Sequence, residues 1–171
     1  MTIINEVLND IIPSDVFGAE PSTDAGYARG TYTLTLASGD VVNTGRLLVI
    51  NEFAKTATLA VAADVYASSA LVTTTRLAVY YGSDLKTNGA AGRSNFEISF
   101  ANDGAAPKAV AITRGSGSGQ IYEGFLHIGT ATTKANFFHN QVANVQNAIR
   151  AKLTTENGFK LVRTTKPAIA I

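Results

Sequence analysis

Cysteine and tryptophan are absent from this 171-residue chain, methionine occurs once, histidine twice and proline four times. Without cysteine there is no disulfide framework and no thiolate metal site. A chain of this length buries roughly 70% of its unfolded surface and needs no such staples. Charge is scarce as well: Lys, Arg, Asp and Glu make up 16% of the residues, against about 25% in an average soluble protein. Fourteen basic and thirteen acidic residues leave a net charge of +1, which argues against the clustered basic footprint that nucleic acid requires. No apolar run approaches the ~18 residues of a membrane span, so neither nucleic acid nor membrane is an expected partner. Residues 1–12 lack a basic leader and carry Glu6 and Asp10, so no secretion signal is expected.

What is present is alternation. In Gly30–Ser38, Tyr32, Leu34 and Leu36 fall on one side of a period-two pattern and Thr31, Thr33 and Thr35 on the other, the signature of a half-buried strand. Its outer side is threonine where lysine or glutamate is usual. Further strands are expected at Leu47–Ile50 and Thr56–Ala62, joined as a hairpin, at Arg76–Tyr81, over Phe96–Phe100, at Val110–Ile112, over Ile121–Ile128 and at Phe159–Thr165. The Gly/Ser/Asn-rich stretch 82–94 reads as a loop and Gly115–Gly119 as a hairpin turn.

Two helical stripes stand out. Ile4, Val7, Leu8 and Ile11 form one, ended by Pro13, and residues 13–29 then read as a loop or arm. Phe138, Val142, Val145, Ile149 and Leu153 form the other, on a helix expected over 133–154 and stopped by Asn157-Gly158. Arg150 and Lys152 sit in its last turn, where the helix dipole favours cations. Its opposite face carries Asn136, Asn140, Gln141, Asn144, Gln146 and Asn147, amides that both donate and accept hydrogen bonds. The tail 166–171 is apolar, with Ile169 and Ile171, and Pro167 keeps it extended. The expected architecture is mainly β, α+β by content: an antiparallel β-sandwich or barrel with one helix near the C-terminus and extended terminal arms. It divides into an arm and linker (1–29), a β-rich domain (30–165) and the tail.

Residues suited to catalysis are dispersed. His127 and His139 have no second ligand at metal spacing, and His127 is expected on the outer face of a strand. Gly115-Ser-Gly-Ser-Gly119 lies between strands, without the helix that supports a nucleophile elbow. Asp40, Asp64, Asp84 and Asp103 sit at strand ends and turns, where Asp serves local hydrogen bonding. No enzyme activity, cofactor or metal is therefore expected. Tyr80 and Tyr122 are the aromatics available to a carbohydrate-binding or adhesion module. The remaining candidates are interaction elements: the stripe Ile4, Val7, Leu8 and Ile11; the strand face Thr31, Thr33 and Thr35; the helix face Asn140, Asn144 and Asn147; and the tail residues Ile169 and Ile171. Together they suggest a self-assembling subunit.

The segment Ala57-Thr-Leu-Ala-Val-Ala-Ala-Asp64, followed by Ser/Thr-rich sequence and the alternating Leu77–Tyr81 strand, resembles part of a lambda-type head decoration protein. The terminal Ala168-Ile-Ala-Ile171 is similar in character, and the Ala/Thr/Gly/Val-rich composition resembles tailed-phage virion proteins. The resemblance implies a non-enzymatic cement protein, a trimer of its own copies that docks on the major capsid protein or other virion proteins, assembled in the host cytoplasm and carried in the virion. It transfers no functional residue. A tail-tube subunit, built as a hexameric ring, is the alternative within the same class.

Overall fold

A computed structural model describes residues 16–19, 29–37, 41–81, 85–86, 108–115, 119–130 and 134–163. The expected helical stripe at residues 4–11, the strand at 96–100 and the tail 166–171 lie outside the described residues.

In chain order the strands are β1 (Phe17–Ala19), β2 (Arg29–Thr35), β3 (Val41–Val42), β4 (Leu47–Asn51), β5 (Thr56–Leu59), β6 (Tyr66–Ala67), β7 (Ala70–Leu71), β8 (Arg76–Tyr80), β9 (Leu85–Lys86), β10 (Lys108–Ile112), β11 (Gln120–Tyr122) and β12 (Lys160–Val162). A short helix α1 (Ala62–Val65) follows β5, and the longer α2 spans Ala143–Ala151. Five strands close into a barrel in the order β10-β2-β5-β4-β8, with β8 pairing back to β10. A three-stranded sheet, β1-β11-β12, and two short pairs, β3-β9 and β6-β7, complete the strand pairing among the described residues. The expected class, mainly β with a barrel and one C-terminal-region helix, is the observed one. Two pairings, β2-β5 and β11-β12, are parallel.

Alternation decides how the barrel is filled. Tyr32 and Leu34 from β2 and Leu36 just after it, Leu48 and Ile50 from β4, Ala57 and Leu59 from β5, Ala78 and Tyr80 from β8, and Ala109 and Ala111 from β10 share one buried cluster. Five strands enclose little space, so alanines alternate with the large residues. The opposite side of β8 and part of β4 and β10 is buried too. Leu47, Leu77, Val79 and Ile112 belong to a second cluster with Val145, Ala148, Ile149 and Leu153 of the helical segment and with Ile121, Leu126 and Phe138. One wall of the barrel is thus sandwiched between its own interior and a covering layer.

The helix departs from its expected span. Phe138 lies in a 3-10 turn, Phe138–Asn140, and Val142 is extended (ψ 152°) and 68% exposed at the N-cap. The segment before α2 is tied down strand-fashion: His127 bridges to Phe137, Ile128 N–H donates to Asn136 and Phe138 N–H donates to Leu126. Those bonds hold the backbone out of helical geometry until Ala143. Beyond α2 a π-helical turn, Lys152–Glu156, carries Leu153 into the core. Asn157-Gly158 ends the helical segment as expected, with Gly158 at φ 73°, a conformation that favours glycine.

Gly115–Gly119 is not a hairpin turn, because β10 belongs to the barrel and β11 to the three-stranded sheet. Gly115 instead packs against the helix exit, where an added Cβ would come 2.6 Å from the Gly158 carbonyl oxygen and the Phe159 Cα. Lys152 is fully buried and does not face solvent at the helix end. Its Nζ donates to Thr75 O at 2.7 Å and to the Glu156 carboxylate at 3.1 Å.

Candidate interaction surface

Among the described residues, the covering layer does not extend over the outward side of β2 and β5. On the outward side of β2 and β5, Thr31, Thr35, Thr56 and Thr58 are exposed and Thr33 is half-buried. The strands run parallel with Thr33 opposite Thr56 and Thr35 opposite Thr58, so the threonines form rows on neighbouring strands about 4.8 Å apart. Thr33 Oγ1 accepts a hydrogen bond from Lys108 Nζ on β10. Each threonine offers a methyl group and a hydroxyl that both donates and accepts, on a side chain with restricted χ1. The threonines carry no charge to desolvate and lose little rotamer freedom on docking, while Lys108 adds an exposed cation beside Thr33. The expectation that Thr31, Thr33 and Thr35 share the outward face of one strand holds, and β5 extends that face with two more threonines.

At one end of the face lies the β4–β5 turn. Asn51 Oδ1 accepts hydrogen bonds from Phe53 N–H at 3.0 Å and Ala54 N–H at 2.9 Å. Lys55 is left-handed at φ 54°, and its carbonyl accepts from Thr33 N–H at 2.8 Å. Glu52 pairs with Arg76 at 3.1 Å. The turn is therefore fixed in shape, and it presents Phe53 with its full surface in solvent, 100% exposed. Phe53 was missed from the sequence, although a lone aromatic between Asn51-Glu52 and Ala54-Lys55 is an available signal.

The amide-bearing helix is a separate surface. Val145, Ala148 and Ile149 pack with Leu77 and Val79 of β8, a strand that pairs with neither β2 nor β5. Asn144 and Asn147 are exposed on α2, and Asn140 is exposed on the preceding 3-10 turn. Gln141 and Gln146 are spent internally: Gln141 Nε2 donates to Ala135 O at 2.7 Å, and Gln146 Nε2 to Gln141 O at 2.8 Å. Ile4, Val7, Leu8, Ile11, Ile169 and Ile171 lie outside the described residues.

Buried polar groups serve the architecture. His127 is buried, contrary to the outer-face expectation, because its backbone is held between Arg46 and Phe137. Its Nδ1 lies 2.9 Å from Phe125 O, so that nitrogen carries the proton. The ring packs against Phe137 with centroids 5.0 Å apart. Burial, and next the neighbouring Arg46 cation, push its pKa well below the usual histidine value, leaving it neutral at pH 7. Glu123, buried in a 3-10 turn, receives two hydrogen bonds from Arg150, Nε and Nη2 each at 3.0 Å. That contact holds the Arg150 pKa above its usual value, and the guanidinium covers the Phe138 ring at 4.8 Å. Tyr80 is inside the barrel at 3% exposure, which removes it as a sugar platform, and Tyr122 is half-buried. Among the described residues no group of three His, Asp or Glu side chains is arranged to hold a metal ion, and no helix is long and apolar enough to cross a membrane. Comparison with protein-family models, curated proteins and solved structures returns no match for this chain.

Proposed function

We propose that this chain is a non-enzymatic structural subunit that works by self-association through the bare wall of its barrel. The observation that carries this reading is the two-strand threonine face, where Thr31, Thr35, Thr56 and Thr58 are exposed and Thr33 and Thr35 lie opposite Thr56 and Thr58. A barrel wall built mainly of uncharged, stiff, hydrogen-bond-capable side chains, with Lys108 at its β10 border, suits association with another protein surface. Within that class, the resemblance of residues 57–81 to lambda-type decoration proteins favours a virion cement protein, associating as a trimer and docking on a capsid. A tail-tube subunit is the second reading. It is favoured by the Phe53 turn at the end of the barrel, since a ring that stacks needs contacts at its ends.

Light scattering on the purified protein separates the two, a trimer fitting the cement reading and a hexamer or polymer the tube. Replacing Thr31, Thr35 and Thr58 with Lys should abolish association while preserving cooperative melting. Association unchanged in that triple variant would overturn the role of the threonine face.

A further inference from the structure

His127 stands where the covering layer is stitched to the barrel. Its own N–H donates to Gly45 O at 3.2 Å and its carbonyl accepts from Leu47 N–H at 2.9 Å, which bridges it to Arg46 at the entry to β4. Its chain neighbours bond the other way. Ile128 N–H donates to Asn136 O and Phe138 N–H donates to Leu126 O, each at 2.9 Å, on either side of the bridge from His127 to Phe137. Residues 134–136 and 138–140 form two 3-10 turns, short pieces with poorer hydrogen-bond geometry than an α-helix. Phe137 and Phe138 of this segment are buried in one cluster with Leu47 and Leu77 of the barrel.

The closed stitch has no place for a charge on the imidazole. Nδ1 points its proton at Phe125 O, so the basic nitrogen is Nε2, which is buried and has no hydrogen-bond partner among the described residues. A proton there would create a buried donor with no acceptor and a second cation beside the fully buried Arg46. The other charged or titratable side chains on the described segments around it do not offset this. The Glu123 carboxylate, on the preceding 3-10 turn, already receives two hydrogen bonds from Arg150 of α2. His139 turns its ring edge-on to Phe138, with centroids 5.4 Å apart.

We propose that His127 is an acid-sensitive latch: uptake of a proton on Nε2 releases residues 134–140 from the barrel while the barrel itself stays closed. The two sides of the stitch are unequal. On the barrel side, β4 is paired with both β5 and β8. On the other side the ring packs against Phe137, centroids 5.0 Å apart, and lifting Phe137 away hydrates Nε2 without breaking a barrel strand pair. Local openings of this kind draw on the weakly held segments of a fold. Above about pH 6.5 the ring is neutral in both forms and the closed form is favoured. Below it the open form takes up a proton that the closed form refuses, so the ratio of open to closed rises by up to about tenfold per pH unit. Opening uncovers Phe137 and Phe138, so acid turns a sealed wall into an apolar surface. The inference is independent of the self-association reading and concerns a single chain.

Amide hydrogen exchange followed by NMR at pH 7, 6 and 5 tests the latch, in a window above the ordinary carboxylate range. Protection factors at Ile128 and Phe138 should fall several-fold from pH 6 to pH 5, with about tenfold the limit for one proton. Tyr81 N–H, bonded to Val110 O, and Thr33 N–H, bonded to Lys55 O, report the barrel and should keep their protection. The loss should vanish in His127→Phe and persist in His139→Gln. Protection at Ile128 and Phe138 that ignores pH, or that falls equally in His127→Phe, overturns the latch. So does a fall shared by Tyr81 and Thr33, which would mean global unfolding, or a fall abolished in His139→Gln. The wild-type ring resonances of His127 give a reading that needs no variant. Titration at the ordinary histidine value while both amides stay protected would put the proton inside the closed stitch and refute the inference.

Discussion

Arg150→Met should cost more stability than Glu123→Gln, although both break the same ion pair. In the folded protein the Arg150 guanidinium holds Glu123 through two hydrogen bonds of 3.0 Å. The Glu123 side chain is 2% exposed and the Arg150 side chain 28% exposed. Removing one partner of a fully buried pair costs about 3–5 kcal/mol, because the remaining charge is stranded away from water. Solvent reaches the arginine side of this pair, which brings the expected cost of Arg150→Met down to about 2–3 kcal/mol. Methionine keeps the apolar cover over Phe138, so the loss reports the charge and hydrogen bonds rather than a cavity. Glu123→Gln strands only a cation that can turn toward water, at about 1–1.5 kcal/mol. The double variant should cost clearly less than the sum, since no uncompensated charge is left behind. Urea unfolding at pH 7 measures all three, and Arg150→Met should lower the melting temperature by about 4–12 °C at about 2–4 °C per kcal/mol. Additive costs, or a larger loss in Glu123→Gln than in Arg150→Met, would refute the buried-carboxylate account.

His127 makes stability fall with acid. Its folded pKa lies well below the usual value, so as pH drops below about 6.5 the unfolded chain takes up a proton that the folded chain refuses, and stability declines by up to about 1.4 kcal/mol per pH unit. Denaturation series between pH 7 and 5 should show that slope, and His127→Phe should reduce it; an identical slope in the variant would remove His127 as the cause. Asn157 Nδ2 donates to Leu77 O at 2.8 Å and to Thr113 O at 2.7 Å where β8 and β10 end their pairing. Asn157→Ala should cost about 2–4 kcal/mol by removing two buried hydrogen bonds, and the near-isosteric Asn157→Asp should cost more, because a carboxylate cannot donate; calorimetry showing Asp better tolerated than Ala would contradict the bridging role. Lys152→Met should destabilise less than Arg150→Met, since Glu156, its carboxylate partner, is 31% exposed and rehydrates, and the reverse order in urea midpoints would show that the bond to Thr75 O dominates.

The period-two pattern in β2 and the Val145, Ile149 and Leu153 spacing in the helical segment were legible because each is a local record of burial on one side. What was not legible depends on a second neighbour. Tyr80 reads as a surface candidate beside Tyr81, yet both sides of β8 are buried: Ala78 and Tyr80 face the barrel, and Leu77 and Val79 face the covering layer. Strict alternation says nothing about whether the second side is covered. Val142 fits a helical stripe by spacing but is exposed, because the bridge between His127 and Phe137 delays the helix to Ala143. His127 reads as outer-face for the same reason, since the segment that covers it comes later in the chain. Among the candidate interaction residues, the threonine face was legible and its continuation onto β5 was not, because parallel pairing of β2 with β5 joins strands separated by β3 and β4.

The Ala- and Thr-rich strands have a structural origin in the inner and outer sides of the barrel wall. Alanine is needed inside, where Ala57, Ala78, Ala109 and Ala111 fit a five-stranded interior that larger residues would overfill. Threonine is favoured outside on β2 and β5, where β-branched residues suit an extended strand and Thr31, Thr35, Thr56 and Thr58 are exposed. Ala/Thr-rich strands would therefore arise in any narrow barrel with one bare wall, whatever its role. The feature that narrow-barrel geometry does not require is Phe53. A fully exposed phenylalanine on a turn fixed by Asn51 Oδ1 gains nothing for the fold in which it stands, and a polar residue there would leave the turn hydrogen bonds intact. Replacing Phe53 therefore tests for a contact outside the chain without disturbing the fold, which replacement of the strand-borne threonines does less cleanly.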